Sequence, residues 1–458
     1  MTRTAQGTVG FVSLGCAKNL IDSETMLGRI ASEGFVLTGD TTHADVVVVN
    51  TCGFLEDSRL ESLDTIRQLV SLKVDGQIKR VVVAGCMVGE YKERLIDEVP
   101  QVDALVSVND RELLAGVLTE LRGSGELARN MKISDPDALG TVYDDRGRFR
   151  LTPRHYAYLR VSEGCDHTCS FCIIPQIRGR HRSKSMDRII EEAQELAADG
   201  CKELIIVAQD STYYGIDLNG EKQLAKLLAR LDAEVDGIEW IRVMYAYPNQ
   251  VTQELVDVMA SADKILPYID MPLQHINSRM LATMRRGGNR ELIERWITRF
   301  REAMPNFRFR STFIAGFPGE TDAELQELVD WIKEGHVDRL GCFAYSPEED
   351  SHSAQLDGHL PDEVREERQG RVMEAAQAVL FAKNEALVGT QARVLIDSAS
   401  QDPKYPNVGR TFADCPEIDC EVYVSTDDGE ELPSGSFVDV QITASLGYDL
   451  QAKVIAER

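Results

Sequence analysis

The chain contains no apolar run near the ~18 residues that a membrane-spanning helix needs, so no membrane partner is expected. Its first residues, MTRTAQGTVGFVSLGC, carry one arginine and a short apolar stretch, with no small-residue cleavage site. They do not read as a signal peptide. Basic side chains are scarce: 50 Lys and Arg face 75 Asp and Glu, a net charge of −25. That balance disfavours a general nucleic-acid binder, because the phosphate backbone rewards positive surface. There is no low-complexity tract and no long internal repeat beyond alternating strand and helix patterns. With 43% apolar residues the chain can build real cores, and with 27% charged residues it stays in solution. A length of 458 residues fits about three domains. Ten cysteines without a secretory signal point to the reducing cytoplasm, where clustered Cys means metal binding or catalysis rather than disulfides.

Three of those cysteines, Cys165, Cys169 and Cys172, form a C-x-x-x-C-x-x-C run (CDHTCSFC). One short loop cannot hide three thiols in a core. The spacing suits one face of an iron–sulfur cube, each thiolate taking one iron. Three thiolates leave one iron without a protein ligand, and an open coordination position marks a metal site that does chemistry. A zinc loop would pair C-x-x-C with a second pair, which is missing here. His167 sits inside the run, but the three-Cys pattern is complete without it.

The first ~120 residues repeat one unit, a β-branched run ending in a cysteine and followed by a helical pattern. Val9–Leu14 precedes Cys16, Val46–Val49 precedes Cys52, and Val81–Ala84 precedes Cys86. Helical patterns follow at Ser58–Leu72 and Glu90–Glu98. Continuous apolar runs suit a parallel sheet buried on both faces. Such sheets bind ligands beyond the carboxyl ends of their strands, where all three cysteines fall.

Residues 122–154, rich in Gly, Pro and charge, read as a linker between a domain at 7–121 and one at 155–388. The second domain alternates six strand patterns (Tyr156–Val161, Glu203–Val207, Trp240–Tyr245, Pro267–Met271, Arg308–Ala315, Arg339–Tyr345) with helical ones. This predicts an α/β fold with a partial (β/α)6 barrel and the cysteine loop at the active, carboxyl end. After a long helical stretch at Asp362–Leu387, residues 389–458 show four short β-rich runs and read as a small β-barrel. That segment holds 13 acidic and 5 basic side chains, a net of −8. Such acidity either aids solubility or steers a basic partner.

Local strings throughout the chain resemble the radical S-adenosylmethionine methylthiotransferase family, whose members join an N-terminal domain with three dispersed cluster cysteines, a radical core and a small barrel called TRAM. The strings are SLGCAKNLIDSE, VNTCGFLEDSRLES, EGCDHTCSFCIIPQIRGRHRSKS, AQDSTYYG, DMPLQH, GFPGET, FAYSPEED and NVGRTFADCPEIDCEVYV. They look most like the branch that modifies an aspartate of small-subunit ribosomal protein number twelve. In the branch that modifies transfer-RNA adenosine, the first cysteine sits in a string like GCQMN, whereas here Lys18 and Asn19 follow Cys16 and Ala17. Two departures are visible: Ala17 stands where proline is expected and Cys420 where glycine is expected.

The resemblance implies two 4Fe-4S clusters, one held by Cys165, Cys169 and Cys172 and one by Cys16, Cys52 and Cys86. It implies that S-adenosyl-L-methionine fills the open iron of the first and is cleaved to a 5′-deoxyadenosyl radical. It also implies that the second carries the sulfur that is methylated and inserted. A monomer acting on a basic protein in the cytoplasm is expected. Candidate cofactor-binding residues are Phe171, beside the last cysteine of the loop, Gln209 and Asp210 after the second barrel strand, and Gly316 and Gly319 after the fifth. Gln274 and His275 end the fourth strand and are further cavity candidates. The cluster Arg178, Arg180, His181, Arg182 and Lys184 reads either as a solvated loop or as a receiver of a carboxylate. Cys201 and Cys342 read as core residues, and Cys415 and Cys420 lack further ligands nearby.

Overall fold

The β-branched runs at Val46–Val49 and Val81–Ala84 become neighbouring parallel strands because each is buried on both faces. In the computed structural model, which describes residues 7–457 except 92–93, 124–129, 139 and 141, the N-terminal sheet has six parallel strands. They are β1 (Thr8–Ser13), β2 (Val36–Thr38), β3 (Val46–Thr51), β4 (Arg80–Gly85), β5 (Ala104–Ser107) and β6 (Asn130–Lys132), in the order β2-β1-β3-β4-β5-β6. Side chains alternate across the sheet as strand geometry requires. Val46, Val48, Val82 and Ala84 pack with Met26 and Ile30 of helix Ala17–Ser32. Val47, Val49, Val81 and Val83 pack with Leu63 and Ile66 of helix Glu56–Val74. Strand β6 lies inside the 122–154 segment that composition marks as a linker. The Glu90–Glu98 pattern is two short helices, Cys86–Tyr91 and Arg94–Glu98.

The middle of the chain forms the partial α/β barrel. Its parallel strands are β7 (Tyr156–Arg160), β10 (Glu203–Val207), β11 (Trp240–Val243), β12 (Ile265–Asp270), β13 (Arg308–Ala315) and β14 (Arg339–Ala344), in that spatial order. A small antiparallel pair, β8 (Ser162–Glu163) and β9 (Arg182–Ser183), brackets the cysteine loop. The outer face of the sheet packs against helices including Met186–Ala198, Leu224–Glu234 and Asp322–Lys333 in one large core.

Five antiparallel and parallel strands close the C-terminal barrel: β15 (Gln391–Ala399), β16 (Asn407–Thr411), β17 (Val422–Ser425), β18 (Phe437–Ser445) and β19 (Leu450–Glu457). Strand β16 has no counterpart among the four runs seen in the sequence, because Gly409 interrupts it. That glycine has to be one: a Cβ there would lie 2.4 Å from the Leu395 carbonyl oxygen. The small barrel plugs the interior of the open one. Tyr156, Tyr158, Ile205, Val207, Trp240, Leu266 and Tyr268 point inward and share a core with Leu395, Cys415 and Phe437. Ionic contacts ring this junction. Asp419 accepts from Arg310 at 3.1 Å, Asp414 from Arg339 at 2.7 Å, and Glu417 from the Tyr156 hydroxyl at 3.0 Å. Asp397 meets His155 at 2.7 Å. Part of the acidity of residues 389–458 therefore faces the barrel rather than solvent.

Candidate active site

Strands β1, β3 and β4 are adjacent and in register, Ser13 opposite Asn50 and Asn50 opposite Ala84. The residues that follow them emerge at one edge, which gathers Cys16, Cys52 and Cys86 although up to 70 positions separate them. Gly15 permits the close approach. Its φ is +93°, and a Cβ there would sit 2.9 Å from the Cβ of Cys52. Asn19 stitches the edge together. Its amide donates to the carbonyls of Leu14 (2.6 Å) and Thr51 (3.1 Å), and its oxygen lies 3.7 Å from the Cys86 sulfur. Burial pushes the Cys86 thiol up to about 12. Cys16 is exposed to a cavity, and Lys18, Arg178 and the amides of Asn19 and Lys18 outweigh the desolvation by its surroundings and hold that thiol below its ordinary value. Cys16 is thus the member of the set most inclined to ligate as a thiolate.

The second set is fixed by its own loop. Cys165 N–H donates to the Gly179 carbonyl (3.1 Å), Cys172 N–H to the Cys169 carbonyl (3.1 Å), and Ser170 N–H to the Met284 carbonyl (2.9 Å). Burial raises Cys165 and Cys172 to about 12 each. All six cysteines line one cavity of about 830 Å³ that opens between the N-terminal sheet edge and the barrel mouth. That volume is within the range of small-molecule sites.

Each set of three thiols could hold an iron–sulfur cluster. Among the described residues, no three Cys, His, Asp or Glu side chains are gathered as a single metal ion would need. An iron–sulfur cube puts each thiolate on a different iron and so accepts wider spacing. Beside the Cys165–Cys172 loop, Gln209 Oε1 and Arg286 Nε are buried without a hydrogen-bond partner, and both residues line the cavity. Orphaned polar atoms of this kind fit a polar cofactor that would occupy the space.

Of the residues marked in the sequence, Phe171, Gln209 and Gln274 line the cavity with the six cysteines. Phe171 also packs against the cluster of Met280, Met284, Phe317 and Tyr345. Asp210, Gly316 and Gly319 do not line it. Both Asp210 oxygens are engaged: one accepts from Thr212 N–H (2.9 Å), and the other meets His167 Nε2 at 2.6 Å. Asp210 thereby positions His167, which stacks on Tyr247 at 3.9 Å and borders the cavity. Gly316 and Gly319 serve a turn. Both have φ of +76°, and the Gly316 N–H donates to Glu320, which is also held by Arg368 and His275. His275 is fully buried in that arrangement.

Of the basic run after the loop only Arg180 is exposed; Arg178, His181, Arg182 and Lys184 are buried. Arg178 and Lys184 are buried and join Arg111 and Arg160 in a network with Asp22, Asp145, Glu163 and Glu192. Four cations meet four carboxylates drawn from the N-terminal domain, the 122–154 segment and the barrel. Burial opposes the ionised form of Glu163, but Arg111, Arg160 and Arg178 hold its carboxyl well below the usual range. Arg178 lies against the sulfur of Cys86 at 3.2 Å.

Lys18, which distinguished the branch in the sequence, also lines the cavity, as do three residues that carried no decisive sequence signal: Tyr245, Tyr247 and Arg286. Arg286 covers the Tyr247 ring at 3.9 Å and approaches the Cys169 sulfur at 3.7 Å. Tyr245 and Gln274 have φ of +60° and +74°, rare for residues other than glycine. Backbone outliers of this type concentrate at functional sites.

Comparison with known proteins agrees with this architecture. Residues 8–107 match an uncharacterized protein family (UPF0004), residues 159–332 the radical SAM superfamily, and residues 388–455 the TRAM domain. The protein named ribosomal protein uS12 methylthiotransferase RimO in Symbiobacterium thermophilum is 43% identical over 96% of this chain and 90% of its own length. The one in Clostridioides difficile is 41% identical over 98% and 99%, and that of Aquifex aeolicus 41% identical over 97% and 96%. Among solved structures, the radical S-adenosylmethionine methyltransferase TsrM from Kitasatospora setae superposes with a TM-score of 0.56 at 16% identity. It covers 75% of this chain and 77% of its own, which shows a shared fold. With three domains in this order and near-full-length relatives above 40% identity, the chain belongs to the radical S-adenosylmethionine methylthiotransferases of the ribosomal protein uS12 type.

Proposed function

We propose that this chain replaces a hydrogen on the β-carbon of an aspartate in ribosomal protein uS12 by a methylthio group. The observation that carries the reading is the single chamber lined by two independent cysteine triads. Cys165, Cys169 and Cys172 would hold the cluster that binds S-adenosyl-L-methionine, and Cys16, Cys52 and Cys86 a second one. Bound there, the two clusters and S-adenosyl-L-methionine supply the radical and the sulfur that side chains cannot.

The chain's own residues hold, orient and exclude. Asn19 and Gly15 set the spacing of the N-terminal triad. Arg178 places a positive charge beside it. Arg286 and Gln209 offer unpartnered polar atoms on the opposite side and would help to hold the polar groups of the cofactor. Phe171 and Tyr247 give apolar and stacking surface there. The small barrel closes the far end of the central one and keeps water out from below. Among the described residues no helix is long and apolar enough to cross a membrane. The protein is taken to act in the cytoplasm as a monomer.

Mass spectrometry of uS12 and of bulk transfer RNA from cells lacking this chain tests the reading. Loss of one methylthio group from uS12, with transfer RNA unchanged, is the expected result. Loss from transfer RNA with uS12 intact would overturn it.

A further inference from the structure

The chamber is lined by four cationic side chains, Lys18, Arg178, Arg286 and Arg310. Two are neutralised by the protein itself. Arg178 pairs with Asp22 and Glu163, and Arg310 pairs with Asp270 and Asp419. Arg286 belongs to the radical side, between Cys169 and Tyr247. Lys18 stands on the other wall, two residues after Cys16 in the first turn of helix Ala17–Ser32. Among the described residues no carboxylate pairs with it. In a chain with 25 surplus negative charges, an ammonium that faces a cavity with no carboxylate beside it, only the Cys16 sulfur, is a departure that calls for a ligand.

Lys18 is also held in place. Its Nζ lies 3.3 Å from the centre of the Tyr245 ring, a cation–π contact made across the domain junction. Tyr245 adopts its strained backbone just past β11. Its N–H donates to Asp270 (3.2 Å), and its carbonyl accepts from Ser211 N–H (2.9 Å). The platform is thus fixed by two neighbouring strand ends, and contact with one tyrosine cannot use all three donors of the ammonium.

We infer that Lys18, seated on Tyr245, receives the side-chain carboxylate of the acceptor aspartate and so determines that the enzyme takes an acidic residue of a polypeptide. The inference rests on the reading above that the acceptor is an aspartate. A carboxylate anchored at Lys18 keeps the adjacent β-carbon beside the Cys16 triad. The charge-assisted hydrogen bond has leverage on selectivity because Lys18 is half-buried in the cavity wall. A neutral acceptor would leave the half-buried ammonium without a carboxylate partner.

The test is binding of a labelled peptide spanning the uS12 acceptor, and of its Asp→Asn counterpart, to anaerobically reconstituted full-length protein by fluorescence anisotropy. Wild type should prefer the Asp peptide by about 10- to 100-fold. Lys18→Met should bind both peptides alike, at the level wild type shows for the Asn peptide. Lys18→Arg should keep part of the preference, which a merely structural role of the side chain would not give. Tyr245→Leu, which leaves the Cys16 wall intact, should reduce the preference about three- to tenfold and serves if Lys18→Met fails to fold. Undiminished preference in folded Lys18→Met, or in Tyr245→Leu where that stands in, would overturn the inference. Wild type that methylthiolates uS12 yet binds both peptides alike would also overturn it while leaving the proposed function intact. Wild type that leaves uS12 unmodified would overturn the function, and the inference with it.

Discussion

The guanidinium of Arg178, on the loop that follows the radical cysteines, lies 3.2 Å from the sulfur of Cys86 in the other domain. The same side chain donates to Asp22 at 2.7 Å and to Glu163 at 2.8 Å. One residue therefore links the two cysteine sets, the domain junction and the buried charge network. A buried charge contributes most when every partner is present and costs most when one is removed.

Arg178→Met should lower unfolding free energy by about 3 kcal/mol, at the low end for breaking a buried pair because Arg160 and Arg111 still face the two carboxylates. Chemical denaturation of anaerobically prepared protein measures this. Removing a positive donor from a ligand sulfur should also move the reduction potential of the N-terminal cluster downward. An unchanged potential would show that the contact is packing only.

Reconstituted protein should hold about eight irons per chain, four for each cysteine set. Replacing Cys165, Cys169 and Cys172 by Ala should leave about four and abolish cleavage of S-adenosyl-L-methionine. Replacing Cys16, Cys52 and Cys86 by Ala should also leave about four, permit cleavage and stop methylthio transfer. Iron analysis with product detection separates these outcomes. Cleavage by the first variant would refute the assignment of the loop.

Glu90, four residues after Cys86, is raised to about 7 by burial. The nearby Arg59 opposes that shift but is engaged chiefly by Glu348, whose own charge adds to it. The folded state holds this proton more tightly than the unfolded chain, whose carboxyl has its ordinary value of 4.5. The stability it contributes is complete below pH 4.5 and is lost as pH rises through about 7. Glu90→Gln should therefore be more stable than wild type above pH 7, with the difference shrinking toward pH 4.5. Denaturation midpoints across that range decide it; parallel profiles for the two proteins would count against it.

The acidic side chains Asp428, Glu430 and Glu431 are exposed on a loop of the small barrel, with Asp427 next to them paired to Lys453. They remain available to a basic protein after the barrel-facing acids have been engaged. Reversing several of these charges should slow association with uS12. The effect should fade as salt shortens the screening length from about 10 Å at 0.1 M to about 3 Å at 1 M. A binding titration at several salt concentrations checks this. Tighter and steeper salt-dependent binding of transfer RNA would reverse the choice of partner.

What the sequence determined by itself were features with local causes. The β-branched runs at Val46–Val49 and Val81–Ala84 specify buried parallel strands, and the cysteine after each run must then emerge at the sheet's carboxyl edge. The loop carrying Cys165, Cys169 and Cys172 is a continuous string, so its spacing is legible without the fold. Short or interrupted strands such as Val36–Thr38 and Asn407–Thr411 stayed hidden because three to five residues carry too little pattern.

Tertiary structure alone decided which long side chains meet. Arg178 finds Asp22 across 156 positions, and Lys18 finds Tyr245 only because Ala17, Leu20 and Ile21 at the start of helix Ala17–Ser32 pack against the inner core of the barrel. Asp210, Gly316 and Gly319 sit beside the right strand ends, yet neighbouring hydrogen bonds turn them to structural work. The same carboxylate or guanidinium can face solvent, a ligand or a buried partner. Which of these it faces depends on desolvation and on the charges the fold brings within a few ångströms, and a sequence pattern records neither.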